Sequence, residues 1–118
     1  MAPLQIKRVY EPRSRGDGQR VLVDRVWPRG VSKQKLNDAI WLKDVAPSTD
    51  LRKWFGHRPE RWDEFRKRYA AELDRNAEAT AKLRALIVQG PVTLLYSARD
   101  DEHNQAVALA EYLAANRH

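Results

Sequence analysis

The chain contains no cysteine. That excludes a disulfide framework, a thiol nucleophile and any thiolate-bound metal. Its five glycines form neither a Walker loop nor a dinucleotide-binding fingerprint, so the glycine-lined phosphate cradles are excluded as well. No apolar run approaches the ~20 residues that a membrane span needs. Residues 1–8, Met-Ala-Pro-Leu-Gln-Ile-Lys-Arg, lack an apolar stretch of signal-peptide length. The expectation is a soluble, cytoplasmic protein with no membrane partner. The three histidines, His57, His103 and His118, fall at no metal-ligand spacing, so neither a metal nor a cofactor is expected.

What the chain does have is charge. Against 16 Asp+Glu stand 22 Lys+Arg, a formal +6. The excess is uneven: residues 1–58 hold 13 basic and 6 acidic side chains, residues 59–118 hold 9 and 10. Arginine outnumbers lysine 15 to 7, which favours forked recognition of phosphate or carboxylate over diffuse solvation. Such a balance invites anionic partners. At 42% apolar residues, 118 residues suffice for one core and not for two, so 1–118 reads as a single domain.

Periodicity supplies the elements. Gln5–Tyr10, Val21–Val23, Ala39–Lys43 and Val92–Tyr96 read as strands, the last most clearly, and Val21-Leu22-Val23 has the continuous apolar character of a strand covered on both faces. Ser48, Thr49 or Asp50 can cap a short helix that holds Leu51, Trp54 and Phe55 and ends at Gly56. Pro59 suits the first position of the next helix, where Trp62, Phe65, Tyr69 and Leu73 form one apolar stripe. Asn76 marks a break; a further helix with Leu83, Leu86 and Ile87 stops at Gly90-Pro91. A final helix, starting near Asp101, presents Ala106, Leu109, Ala110 and Leu113. Strands mixed with amphipathic helices predict an α/β domain: a small sheet of about four strands flanked by helices, with a mainly helical second half. The order of the strands does not follow from these patterns.

Three segments can carry chemistry. The first, Asp24-Arg25-Val26-Trp27-Pro28-Arg29-Gly30, leaves a buried strand. Ligands in open α/β sheets bind beyond such strand ends. Arg25 and Arg29 are placed to fork onto an anion, with Trp27 as a stacking face; a loop-tying ion pair of Asp24 with Arg25 is the plainer alternative. The second, Tyr96 to Asn104, puts Arg99 and Asn104 at a strand-to-helix turn, although Asp100, Asp101 and Glu102 read equally as capping charges. The third gathers Lys43, Arg52 and His57 with further basic residues. His57 is a candidate proton shuttle and Asp24 a candidate to orient it. Ser48 reads as a helix cap, not a nucleophile.

Arg20 to Gly30, with Trp41, Lys43, Ala46-Pro47-Ser48, Leu51-Arg52, Trp54-Phe55, His57, Val92–Tyr96, Ala98-Arg99-Asp100 and Asn104 following in order, resembles the YeaO-like family, domain of unknown function DUF 488. Val26 stands where leucine is expected and Ser97 where a smaller residue is usual. The resemblance spans nearly the whole chain and implies a single-domain α/β fold. It implies no established reaction. Longer relatives carry cysteines after the strand corresponding to Val92–Tyr96, and this chain cannot share a chemistry based on them.

The leading expectation is a protein that binds, or turns over, an anionic small molecule, phosphorylated or carboxylated. Arg25, Trp27, Arg29, Lys43, Arg52, Arg99 and Asn104 are its candidate ligand contacts. The alternative is a nucleic-acid or regulatory module using the basic first half. Against it, Trp54 and Trp62 occupy apolar-stripe positions, and no helix-turn-helix, zinc-finger or RNA-recognition signature is visible.

Overall fold

Four parallel strands organise residues 4–115, the part of the chain that the computed structural model describes. They are β1 (Leu4–Arg8), β2 (Gln19–Leu22), β3 (Ile40–Trp41) and β4 (Val92–Tyr96), arranged β1-β4-β2-β3. The strand last in sequence thus lies inside the sheet, pairing Leu4 with Val92 on one side and Val21 with Leu94 on the other. Parallel neighbours need long crossovers. Between β3 and β4 the crossover contains α1 (Thr49–Phe55), α2 (Trp62–Asp74) and α3 (Ala77–Gln89); α4 (Gln105–Ala115) follows β4.

The apolar runs of β2 and β4 are continuous because both faces of the sheet are covered. Val21, Val92, Leu94 and Tyr96 pack with Phe55, Phe65, Tyr69, Leu73, Leu83, Leu109 and Leu113, so all four helices share one face. Leu22 and Leu95 turn the other way, to Val9, Val31 and Leu36, with Trp27 and Ala39 packed alongside. The second face is therefore closed by the irregular segment 24–39. Each buried Leu, Val or Phe contributes about 1.5–3 kcal/mol. That makes the segment part of the fold as well as a connection.

Local signals set the boundaries. The Ser48 hydroxyl accepts from Leu51 N at 3.1 Å and caps α1, and Gly56 closes that helix in the left-handed region at φ 55°. The Trp62, Phe65, Tyr69, Leu73 stripe faces the core, and the Tyr69 hydroxyl donates to the Val45 carbonyl. Gly18, at φ 63°, passes so close to Pro91 that a Cβ would lie 2.2 Å from the Pro91 carbonyl oxygen.

Boundaries differ from expectation at several elements: the strands expected at Gln5–Tyr10 and Val21–Val23 run Leu4–Arg8 and Gln19–Leu22. The Ala39–Lys43 strand shrinks to Ile40–Trp41 because Lys43–Val45 coils into a 3-10 turn. Pro59 opens a 3-10 turn, Pro59–Arg61, that leads into α2. The last helix begins at Gln105, not near Asp101. Asp100 Oδ1 accepts from the backbone N–H groups of Glu102 and His103 at 2.9 and 3.0 Å and holds the preceding stretch as a loop. Asn104 Oδ1 then caps α4 by accepting from Val107 N at 3.1 Å.

Candidate functional site

The carboxyl ends of β1, β2 and β4 open onto a cavity of about 880 Å³. Ligand sites in parallel sheets lie at this end of the strands, and the volume falls within the range of small-molecule pockets. Arg8 and Tyr10 enter it from the end of β1, and residues 24–29 from the end of β2. Pro47, Arg52, Phe55 and His57 come from α1 and its flanks, and Phe65 from α2. Residues 97–100, with His103, Asn104 and Gln105, complete it after β4.

Its charge is lopsided. Five arginines, Arg8, Arg25, Arg29, Arg52 and Arg99, face two aspartates, Asp24 and Asp100. Two of the arginines are fixed by backbone carbonyls. Arg25 donates from Nε to Pro47 O at 2.8 Å and from Nη2 to Ala46 O at 3.1 Å. Arg8 donates from Nε to Ala98 O at 3.0 Å and lies 4.8 Å from the centre of the Tyr10 ring. The Tyr10 hydroxyl in turn donates to Arg29 O at 2.9 Å, tying the β1 and β2 loops together. Arg29, Arg52 and Arg99 are exposed, and among the described residues their guanidinium groups form no hydrogen bond or ion pair. Three uncommitted forks around one hollow are suited to an oxyanion.

Asp24 is different in kind. It is only 6% exposed, and it accepts from the Ser97 hydroxyl at Oδ2, at 2.5 Å, and from the Gln105 amide at Oδ1. Burial pushes its carboxyl pKa up, against the opposing pull of the Ser97 and Gln105 hydrogen bonds and the Arg52 charge. The loop-tying ion pair with Arg25 is not made. Asp100 goes the other way: the Glu102 N–H and the His103 ring hold its carboxyl below the usual range.

The expected contacts divide accordingly. Asp24, Arg25, Trp27, Arg29, Arg52, His57 and Arg99 all line the one cavity. Trp27 is half-buried, donates to Val31 O at 2.6 Å and meets Trp41 edge-on at 5.3 Å, so its ring is already partly engaged. Asn104 reaches the cavity wall, but its side chain is spent on Asp100 O and the cap of α4. Lys43 stays outside: the 3-10 turn after β3 carries it to a separate depression, where it lies 5.5 Å from the centre of the Trp41 ring. Asp24 does not orient His57; its partners are Ser97 and Gln105. His57 occupies the left-handed region at φ 58°, alone among the described non-glycine residues.

Arg8, Tyr10, Gln105 and His103 were not foreseen as lining. The first two precede a turn rich in proline and glycine and carry no strand-end motif. A helix starting near Asp101 would hold His103 in its first turn, whereas the loop places its Nδ1 2.9 Å from Asp100 Oδ2 and its ring edge-on to Trp62 at 5.3 Å. Among the described residues no group of three or more His, Asp or Glu is arranged to hold a metal ion, and no helix is long and apolar enough to cross a membrane.

The family model described as "Inactive DUF488-N3 subclade" matches residues 3–118. The chain belongs to the DUF488 family. Similar DUF488 chains include the uncharacterized protein Rv3073c of Mycobacterium tuberculosis, 47% identical over 110 residues that cover 93% of this chain and 92% of that one. The uncharacterized protein YeaO of Escherichia coli is 43% identical over 110 residues, covering 93% and 96%. No solved structure matches the chain. The resemblance read from Arg20–Gly30 and the motifs after it thus holds, and the DUF488 assignment extends over the strand-end loops that build the cavity.

Proposed function

We propose that the chain binds an anionic small molecule, phosphorylated or carboxylated, in the cavity at the carboxyl end of its sheet. One observation carries this reading: Arg29, Arg52 and Arg99 stand uncommitted around a hollow whose other two arginines are fixed in place by backbone carbonyls. Hydrogen bonds to charged groups contribute about 1.5–3 kcal/mol each, so two or three forks hold a small oxyanion without a glycine loop or a metal. Phe55 and Phe65 give the cavity an apolar side for the body of the ligand.

Binding without turnover fits the site better than catalysis. No imidazole bonds the Ser97 hydroxyl among the described residues: its proton goes to Asp24, and His103 is turned to Asp100. The description of the matched subclade as inactive points the same way. The nucleic-acid alternative draws on the basic first half, but four of that half's arginines, Arg8, Arg25, Arg29 and Arg52, contribute to the cavity, and Lys7 and Arg20 are paired with Asp17 and Asp38. These are six of that half's thirteen basic side chains, and Arg13 is paired with Asp38 as well.

A thermal-shift panel of sugar phosphates, carboxylates and short DNA at two salt concentrations separates the two. The reading expects one class of small anion to raise Tm and to keep most of that shift at the higher salt. Stabilisation by DNA alone, falling steeply with salt, would overturn it.

A further inference from the structure

We infer that Asp24 makes this cavity selective for anions that also carry a hydrogen-bond donor, a hydroxyl or an ammonium, beside the anionic group. The inference rests on the anion-binding reading and narrows it to a ligand class.

A site that only attracted anions would gain nothing from a carboxylate. Like charges oppose each other, and more strongly where water is scarce. Yet Asp24 lies in the cavity wall, and although five arginines share that wall, none forms an ion pair with it among the described residues. The two fixed arginines turn to carbonyls instead, Arg25 to Pro47 and Ala46, Arg8 to Ala98. The protein keeps a buried acid here with no cation in contact, Arg52 acting on it only through its field.

Its hydrogen bonding is also incomplete. An ionised carboxylate offers about four acceptor positions. Ser97 and Gln105 occupy one on each oxygen, from β4's loop and the first turn of α4. Both donors come from the side of β4 and α4, and they fix the carboxyl group's orientation as a supporting shell fixes a functional group. Burial raises the Asp24 pKa despite these bonds, a further one from the Ser97 backbone N–H and the field of Arg52, and of those acceptor positions one is still unfilled. A donor on the ligand supplies the missing one. An analogue without that donor leaves a buried acceptor unpaired, which is the physical basis of strong discrimination in polar sites.

The test uses phosphate monoesters matched except for the donor, followed by calorimetric titration. One pair is glycerol 3-phosphate and propyl phosphate; the other is phosphoethanolamine and ethyl phosphate. The native chain is expected to prefer the donor-bearing member of at least one pair by about tenfold or more, and the pair concerned distinguishes hydroxyl from ammonium. In Asp24→Asn that preference falls towards unity while the donor-free ester binds more tightly than to the native chain, because the like charge has gone. A merely structural Asp24 would weaken both esters together. The comparison of matched esters on the native chain needs no variant, which keeps the test decisive if Asp24→Asn does not fold. Equal binding of both members of both pairs by the native chain overturns the inference and leaves the anion site standing. No binding of any of the four overturns the inference for phosphate esters, and overturns the anion reading too when carboxylates also fail to raise Tm.

Discussion

At the scale of single residues, the cavity contrasts arginines that are fixed with arginines that are free. Arg8 and Arg25 spend donors on carbonyls, whereas Arg29, Arg52 and Arg99 spend none among the described residues. Asp24 is the counterweight, and its titration has a sign that can be checked. Its folded-state pKa lies above the ordinary 3.8, with burial the leading cause. The folded chain therefore binds the Asp24 proton more tightly than the unfolded chain does. Stability from this group is complete below the unfolded value, declines as pH rises through the folded value, and is lost above it. Asp24→Asn carries no such dependence. Its stability relative to the native chain should climb from about pH 4 upwards and then level, as measured by denaturant unfolding at a series of pH values. A difference that is flat with pH would contradict the assignment. Asp24, Arg25 and Arg29 were legible in the sequence because they leave a strand whose apolar run announces its burial. Arg8 was not, since its role depends on which strand lies beside β1.

At the scale of elements, what was legible was local. The Ser48 cap, the Gly56 terminus, the α2 stripe and β4 follow from a few adjacent residues, and the structure holds them at those positions. What was hidden was long-range. Nothing near Leu4 or Val92 advertises that they pair, and α4 starts later than its acidic run suggests because Asp100, suited to a helix end, caps a loop instead. Lys43 lies away from the cavity for a similar reason: the 3-10 turn Lys43–Val45 replaces the strand expected through it. Gly18 shows how closely the elements approach. It has φ 63°, and a Cβ there would meet the Pro91 carbonyl oxygen at 2.2 Å, on the backbone that leads into β4. The Gln19 N–H also donates to that oxygen at 2.9 Å, so the carbonyl cannot retreat without loosening the start of β2. Gly18→Ala should cost about 3 kcal/mol or more, from the left-handed backbone together with the clash. The midpoint of urea unfolding would report it, and a loss below about 1 kcal/mol would show that the two segments separate easily.

At the scale of the whole molecule, the formal +6 describes no uniform surface. Part of the excess is neutralised inside the fold, where buried Arg20 lies near Asp17 and Asp38 and Lys7 meets Asp17 at 3.0 Å. Another part converges on one cavity from three strand ends that lie far apart in sequence. The parallel sheet brings this about: with β4 inserted between β1 and β2, the loops after all three strands emerge at the same edge. This DUF488 chain, without cysteine, thus has a formed, cationic hollow where the sheet ends. The most direct test of that account is calorimetric titration of a small phosphate monoester into the native chain and into an Arg29→Ala/Arg52→Ala/Arg99→Ala variant, with circular dichroism to verify that the variant is folded. Saturable binding to the native chain, weakened about a hundredfold or more in the folded variant, is the predicted result. Equal affinity for the two would contradict it.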